Sequence, residues 1–123
     1  MVEVICDTSF LIVLANKPVK GMEEIEVHLG KIDFVVPTVV INELSRLALS
    51  AGVKRAKEAK LASELAGRFQ IVQLDGESAD EIILDYASRH KCMAATIDNE
   101  LKRKLQRNGI SVITLSGSKM IVT

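Results

Sequence analysis

The chain has 123 residues, which is the length of one domain with its own core and too short for two. Hydrophobic residues make up 48% and charged residues 26%, a balance that excludes a disordered or fibrous protein, and the formal net charge of zero argues against a general polyanion-binding protein. The longest apolar run, residues 10–15, is far shorter than the roughly 20 residues of a membrane-spanning helix, so we expect one domain over residues 1–123 that does not enter a membrane.

Strands and helices are predicted to alternate along the chain. The first strand, residues 2–6, is almost entirely apolar, as expected at the centre of a parallel sheet, and it ends at Asp7. Further strands are predicted at residues 34–36, 69–74, 92–97, 111–115 and, as a short edge strand, 120–122. Helices are predicted at residues 10–14, 21–29, 39–50, 53–66, 78–87 and 98–108. This alternation indicates a mainly parallel, three-layer α/β/α sandwich.

Two aspartates stand directly after predicted strands. Asp7 follows the first strand and Asp98 follows the strand at residues 92–97, and ligands of parallel α/β sheets bind at such carboxyl ends. An aspartate between a strand and a helix is also a favoured N-cap, because its side chain accepts hydrogen bonds from unpaired backbone N–H groups. Helix capping and a functional carboxylate are therefore both open for each residue.

Two acidic residues on helices complete the candidate set. Glu43 shares a helix stripe with Val39 and Leu47 that is expected to face the sheet, where a carboxylate is costly unless it binds a cation. Arg46, three residues later, offers a structural alternative as an ion-pair partner. Asp80 lies in the first turn of its helix, where the helix dipole alone would favour an acid.

Four carboxylates at one edge of a sheet would form an oxygen-rich, negatively charged cleft. Mg²⁺ or Mn²⁺ prefers such ligands, whereas Zn²⁺ would require His or Cys that this sequence does not supply at suitable spacing. In such a site a metal lowers the pKa of bound water and so makes the nucleophile for phosphodiester hydrolysis. Neither Ser9 nor Ser45 has an adjacent His to activate it. The residues therefore indicate a metal-dependent phosphodiesterase.

The two cysteines, Cys6 and Cys92, lie in or beside apolar strands and have no partner at metal-ligand spacing. We expect buried, reduced thiols, which favour a cytoplasmic protein, while a disulfide between them stays open. The N-terminus has no basic stretch leading into an apolar run, so no secretion signal is expected.

Four short motifs follow the order and spacing of the PIN domain, which the chain resembles over essentially its whole length. The motifs are Asp7-Thr8-Ser9, Ile41-Asn42-Glu43-Leu44, Ala79-Asp80-Glu81-Ile82-Ile83 and Ala95-Thr96-Ile97-Asp98-Asn99-Glu100-Leu101. The resemblance implies a parallel five-stranded sheet with helices on both faces, and a nuclease that cleaves single-stranded RNA. It implies that Mg²⁺ or Mn²⁺ is bound by the catalytic residues Asp7, Glu43, Asp80 and Asp98. It also implies that the hydroxyls of Thr8 or Ser9 and of Thr96 orient the carboxylates or metal-bound water.

The same resemblance implies two cellular roles. The PIN family includes VapC toxins of toxin–antitoxin pairs and nucleases that process ribosomal RNA precursors. The segment Thr96-x-Asp98-x-x-Leu101, followed by a basic helix, resembles the rRNA-processing type more closely. The implied partners are RNA, an antitoxin or a ribosome-assembly protein, and a second copy in a homodimer.

One departure from the family pattern concerns Asp80. Many relatives have two aspartates where this chain has Asp80-Glu81. Residues 78–81 also match a capping box, in which Ser78 caps the helix and Glu81 reaches back to it, and we therefore leave Glu81 out of the site. Which of the two acids reaches the metal stays open.

Two predicted basic helices are candidates for RNA binding. Arg46, Lys102 and Arg103 are expected to contact the phosphate backbone, although charges on helices often form only a solvated face. Aromatic residues make up only 3% of the chain, which leaves few platforms for stacking bases. Recognition by RNA shape or through a partner protein is therefore expected.

Two other classes of protein compete with the nuclease interpretation. A non-catalytic PIN-like module would bind RNA or protein without cutting, but it has no need to keep mutually repelling carboxylates together. A phosphatase or receiver domain would need an aspartate two residues after Asp7, where Ser9 stands, or an acidic pair after the first strand, which is missing. The sequence therefore favours the nuclease.

Overall fold

The structure is a computed structural model of the protein that describes residues 1–50 and 52–123. Within these ranges the strands are β1 (Val2–Cys6), β2 (Ile32–Pro37), β3 (Gln70–Val72), β4 (Met93–Ala95), β5 (Val112–Ser116) and β6 (Lys119–Val122). The helices are α1 (Thr8–Asn16), α2 (Met22–Leu29), α3 (Thr38–Ser50), α4 (Val53–Ala66), α5 (Ala79–His90) and α6 (Asn99–Arg107). The predicted alternation of strands and helices is confirmed.

All described strands belong to one sheet with the order β3-β2-β1-β4-β5-β6. Strands β1 to β5 pair in parallel, whereas β6 pairs antiparallel with β5. The mainly parallel sheet is confirmed, and the edge strand predicted at residues 120–122 is present as β6, which makes six strands where the resemblance implied five. This strand forms through a tight reversal after Ser116, where Gly117 adopts a left-handed φ of 62° and Lys119 pairs back to Ser116.

Helices cover both faces of the sheet. Crossovers between parallel strands are right-handed, so the connections from β1 through β2 to β3 and those from β3 through β4 to β5, which run in opposite directions across the sheet, place their helices on opposite faces. Helices α1, α3 and α4 contact one another, and α5 and α6 contact each other, which gives the two outer layers of the sandwich. The strands between them are buried on both sides, and Val4, Ile5, Val35, Val36 and Val112 have no exposed surface.

Lys20 extends the pairing of the sheet at its β6 edge. Its N–H donates to the carbonyl oxygen of Ser118 at 2.8 Å, and its carbonyl oxygen accepts from the N–H of Met120 at 2.7 Å. Gly21 follows with φ of 98°, and a Cβ on this residue would lie 2.8 Å from the carbonyl oxygen of Met120. The segment between α1 and α2 can therefore lie against β6 only because residue 21 is glycine.

The strand predicted at residues 69–74 is shorter in the structure. Beyond Val72 the chain turns toward the start of α3, where the Thr38 hydroxyl accepts from the N–H of Leu74 at 2.9 Å and donates to Oδ1 of Asp75 at 2.8 Å. These bonds replace the pairing that a longer strand would make.

None of the described helices is long and apolar enough to cross a membrane. Cys6 and Cys92 are both free thiols, so the disulfide that the sequence left open is not formed.

Candidate active site

The ends of two neighbouring strands define the candidate site. β1 and β4 pair in parallel with Cys6 opposite Ala95, so the chain leaves both strands at the same edge of the sheet. The N–H of Asp7 donates to the carbonyl oxygen of Ala95 at 2.9 Å. Pairing of the two central strands therefore brings Asp7 beside the segment from Thr96 to Asp98.

A cavity of about 260 Å³ opens at this edge and collects the acids from four elements. Its lining residues are Asp7, Thr8, Ser9, Ile12, Glu43, Leu47, Arg55, Ala79, Asp80 and Asp98. The four predicted carboxylates thus face a common space, although they lie up to 91 residues apart in the chain.

Asp7 is held by two hydroxyl groups and does not cap α1. Its side chain is buried, and Oδ2 accepts from the hydroxyl of Ser9 at 2.9 Å and from that of Thr96 at 2.8 Å. No hydrogen bond from this side chain caps the helix that follows. Burial raises the pKa of Asp7 above its ordinary value, and the bonds from Thr96 and Ser9 oppose that rise because they favour the ionised form.

Asp98 has the capping geometry that Asp7 lacks. Its Oδ1 accepts from the N–H groups of Glu100 at 2.9 Å and Leu101 at 3.4 Å, which satisfies the start of α6. Its own N–H donates to the Thr96 hydroxyl at 3.0 Å. Capping therefore occupies one carboxylate oxygen of Asp98 and leaves Oδ2 without a capping role.

The two helical acids reach the cavity from opposite layers of the sandwich. Glu43 is half-buried on α3, and the described ion pairs do not include one between it and Arg46. Asp80 reaches the cavity from the first turn of α5, whereas the exposed Glu81 lines a different surface depression with Ser78. Of the pair left open by the sequence, Asp80 is the acid that lies at the cavity.

Of the capping box predicted for α5, the structure shows the bond to the Ser78 side chain. Ser78 accepts from the N–H of Glu81 at 3.3 Å. This bond starts α5 at Ala79 and so fixes the rotation of the helix. Because adjacent helical residues project about 100° apart, Asp80 and Glu81 face different directions.

The carboxylates of the cavity repel one another, and the pKa of Asp80 reflects this repulsion. Burial, followed by the nearby charges of Asp7 and Asp98, raises the pKa of Asp80, while Lys104 opposes that rise. A divalent cation would relieve this repulsion, and four carboxylates are the hard oxygen ligands that Mg²⁺ and Mn²⁺ take. The residues present therefore fit a metal of this class.

The spacing of the acids and the hydroxyl of Thr8 are both relevant to metal binding at this cavity. In the described residues no three His, Cys, Asp or Glu side chains stand in a ready metal-coordinating arrangement. Mg²⁺ usually keeps several waters and takes only one or two carboxylates directly, so a wider set of acids is compatible with it. Thr8 is only 4% exposed and borders the cavity, and its hydroxyl oxygen has no hydrogen-bond partner among the described residues.

The residues predicted to bind RNA lie outside the cavity wall. Arg46 is exposed on α3, and Lys102 and Arg103 follow Asp98 on α6. The cavity instead has Arg55 of α4 in its wall, a residue that was not among the predicted site residues. The available signal was its spacing from Ala59 and Ala62, two buried residues on the same side of the helix as the exposed Arg55.

Comparisons with known proteins agree with this architecture. Residues 4–118 match the family described as "PIN like domain". Ribonuclease VapC4 of Methanocaldococcus jannaschii is 36% identical over 125 residues, which cover 97% of this chain and 94% of that protein. Ribonuclease VapC9 of Archaeoglobus fulgidus is 32% identical over 88 residues, which cover 72% of this chain and 64% of that protein. Among solved structures, the PIN domain endonuclease Utp24 superposes with a TM-score of 0.73 at 27% identity, covering 98% of this chain and 90% of that one.

Proposed function

The chain belongs to the PIN-like domain family, and from this membership we propose that it is a Mg²⁺- or Mn²⁺-dependent endoribonuclease. The observation that carries the proposal is the convergence of Asp7, Glu43, Asp80 and Asp98 on one cavity. Two relatives that are ribonucleases by name support RNA as the substrate, and the endonuclease Utp24 supports cleavage within the strand.

The four acids would hold the metal, and three hydroxyl-bearing residues would arrange them. Bound Mg²⁺ or Mn²⁺ supplies a water of lowered pKa as nucleophile and balances charge on the phosphate. Ser9 and Thr96 fix Oδ2 of Asp7, which leaves the other oxygen of this carboxylate free of those two bonds. The hydroxyl of Thr8 has its hydrogen-bonding capacity available for a water or substrate oxygen at the cavity.

RNA would approach the cavity along positive charge on the surrounding helices. Lys102 and Arg103 lie near the middle of α6, whose N-cap is the site residue Asp98. Arg46 lies on α3, the helix that carries Glu43. These cations would track the phosphate backbone and leave sequence recognition to RNA shape or to a partner.

Two cellular roles fit this activity. As a toxin of the VapC type, the protein would cut a target RNA and be restrained by an antitoxin; as a processing nuclease, it would cut a ribosomal RNA precursor together with an assembly partner. A homodimer is compatible with either role, and the free thiols favour the cytoplasm. The RNA that is cut distinguishes the two roles.

The test is to incubate the purified protein with total cellular RNA in Mn²⁺ or Mg²⁺ and to map new RNA ends by sequencing. Parallel reactions contain EDTA or the Asp98→Asn variant, whose asparagine can still cap α6 and so preserves the fold. Discrete cuts that disappear in both controls are the expected result. Cuts that persist in EDTA would contradict metal dependence, and metal binding without cuts would favour a non-catalytic RNA-binding module.

A further inference from the structure

Arg55 is the one cation among the described residues that line the acidic cavity. We propose that Arg55 binds the scissile phosphate of the RNA, a role that rests on the proposed nuclease function and identifies a residue that recognises its substrate. This role follows from the helix face that carries Arg55, from the contacts that fix this helix, and from a guanidinium group without an ion-pair partner among the described residues.

The face of α4 that carries Arg55 is the face that packs inward. Ala59, Ala62 and Ala66 follow Arg55 at intervals of four, three and four residues, and they are 1%, 0% and 0% exposed. Residues at these intervals share one side of a helix. The side chain of Arg55 therefore leaves α4 on its packed side and reaches the cavity wall, while its charged end stays in water.

The position of this part of α4 is fixed relative to the acids. The side-chain amide of Asn16 donates to the carbonyl oxygens of Ile12 at 2.8 Å and Glu58 at 2.9 Å. Ile12 itself lines the cavity, and Glu58 is one turn along from Arg55. These bonds join α1, which begins directly after Asp7, to the segment of α4 that presents Arg55.

The guanidinium group of Arg55 is not neutralised by any of the described acids around it. The ion pairs found among the described residues are Arg89–Asp85, Lys104–Glu100 and Lys119–Glu24. Lys104 is the other cation close to the site, and its Nζ lies 3.8 Å from Oε1 of Glu100. The charge of Lys104 also opposes the rise in the pKa of Asp80. Arg55 thus keeps a permanent charge and its N–H donors for a ligand that the chain does not provide.

A phosphodiester is the ligand that this arrangement fits. The guanidinium plane donates two parallel hydrogen bonds to a pair of phosphate oxygens, which Lys cannot match in geometry. During hydrolysis negative charge is concentrated on the phosphate oxygens, so a cation opposite the metal-binding acids stabilises the transition state more than the ground state. The cavity would then hold the phosphate between the acids that would bind the metal and Arg55 of α4.

Three variants separate the charge of Arg55, its geometry and its position on α4. Arg55→Ala removes the cation, Arg55→Lys keeps the charge but not the bidentate geometry, and Lys57→Ala removes an exposed charge two residues further along the same helix. Lys57 lies off the inward stripe, so its loss controls for the general charge of α4. Each variant is examined for cleavage of single-stranded RNA in Mn²⁺, for Mn²⁺ affinity by calorimetry and for thermal unfolding.

RNA binding without turnover is measured in the Asp98→Asn background by fluorescence anisotropy with a short single-stranded RNA. We expect Arg55→Ala to lower kcat/KM by about 100-fold, to weaken RNA binding, and to make its salt dependence shallower by about 0.7 in the slope of log K against log salt. Arg55→Lys should retain an intermediate activity. Lys57→Ala should match the wild type in cleavage and binding, and Mn²⁺ affinity should be retained in all three.

Two results would overturn the assignment while leaving the nuclease function intact. One is wild-type cleavage in Arg55→Ala, and the other is a loss of Mn²⁺ affinity or thermal stability that accounts for its defect. A wild-type protein that cuts no RNA would instead overturn the proposed function and this inference with it. The two kinds of failure are therefore distinguishable.

Discussion

The hydroxyl of Thr96 donates a 2.8 Å hydrogen bond to Oδ2 of Asp7, which stands 89 residues earlier in the chain. The same oxygen of Thr96 accepts from the N–H of Asp98 at 3.0 Å. One buried hydroxyl therefore bonds both the carboxylate of Asp7 and the backbone N–H of Asp98. Both acids depend on Thr96 for their placement.

Replacing Thr96 with valine keeps the volume and removes both hydrogen bonds. Because removing a bond to a buried, charged group costs about 1.5–3 kcal/mol, we expect the free energy of unfolding to fall by an amount in that range. The pKa of Asp7 should rise further, which should move the acidic limb of the pH–activity profile to higher pH. Urea unfolding and the pH profile of cleavage measure the two effects.

The control for this substitution is Thr114→Val, because Thr114 is a buried threonine on β5 that does not line the cavity. An equal shift of the pH profile in both variants would contradict a specific link between Thr96 and Asp7.

Asp80 and Glu81 are adjacent acids that should respond differently to neutralisation. Asp80→Asn removes a carboxylate from the cavity, so kcat/KM should fall by about 100-fold or more, since even changes to residues that only support metal ligands cost about 10–100-fold. Glu81→Gln changes an exposed residue outside the cavity and should leave cleavage near the wild-type rate. Single-turnover cleavage assays compare them directly, and a severe defect in Glu81→Gln would reverse the assignment.

Removal of one repelling charge should also stabilise the metal-free protein. Asp80 lies within the electrostatic influence of Asp7 and Asp98, which raise its pKa. In EDTA, Asp80→Asn should therefore have a higher Tm than the wild type, although its activity is lower. A lower Tm would show that the carboxylate has a stabilising role that outweighs the repulsion.

The raised pKa of Asp7 gives a pH dependence of stability whose sign can be worked out. The folded protein holds this proton at a pH at which the unfolded chain, with an ordinary aspartate pKa near 3.8, has released it. The contribution of Asp7 to the free energy of unfolding therefore falls as pH rises from about 3.8 through the raised pKa. Urea unfolding in EDTA should show a shallower decline in Asp7→Asn, and an equal decline in both proteins would contradict it.

Lys102 and Arg103 should contribute to RNA affinity through counterion release. Replacing both with alanine should weaken binding and reduce the slope of log K against log salt by about 0.7 for each phosphate that these cations neutralise. The control double variant replaces Lys31 and Arg107 and removes the same charge at the amino ends of the strands, where β2 begins and α6 ends. Anisotropy titrations at several salt concentrations compare the two double variants, and an unchanged slope in the first would exclude the middle of α6 from the RNA-binding surface.

The sheet and the four acids were predictable because both follow from local patterns. Apolar strands alternate with amphipathic helices, and an acid stands at the end of β1, after β4 and on the inward stripe of α3. The roles of Asp7 and Asp98 were not separable from sequence, since each follows a strand and precedes a helix. The side chain of Asp7 instead accepts from the nearby Ser9 and from the distant Thr96, whereas the side chain of Asp98 caps α6 and only its backbone N–H bonds Thr96.

The features of the site that could not be predicted from the sequence depend on packing between distant elements. Arg55 reaches the cavity because α4 packs against α1 and α3, and its own surroundings in the sequence are an ordinary run of Lys and Ala. The choice between Asp80 and Glu81 depends on where α5 begins, which is a matter of one residue. The sixth strand was expected at residues 120–122, but its antiparallel pairing with β5 depends on the reversal at Gly117.

The bonding of Lys20 to the outer edge of β6 has a consequence for how copies of this chain behave at high concentration. An open sheet edge offers free N–H and C=O groups to which another chain can add as a strand, which is a route to fibrous aggregates. Lys20 occupies part of that edge, and the opposite edge is the three-residue β3. The sheet therefore offers little template for polymerisation at either side, and Gly21→Ala, which would push this segment away from Met120, should make the protein prone to aggregate.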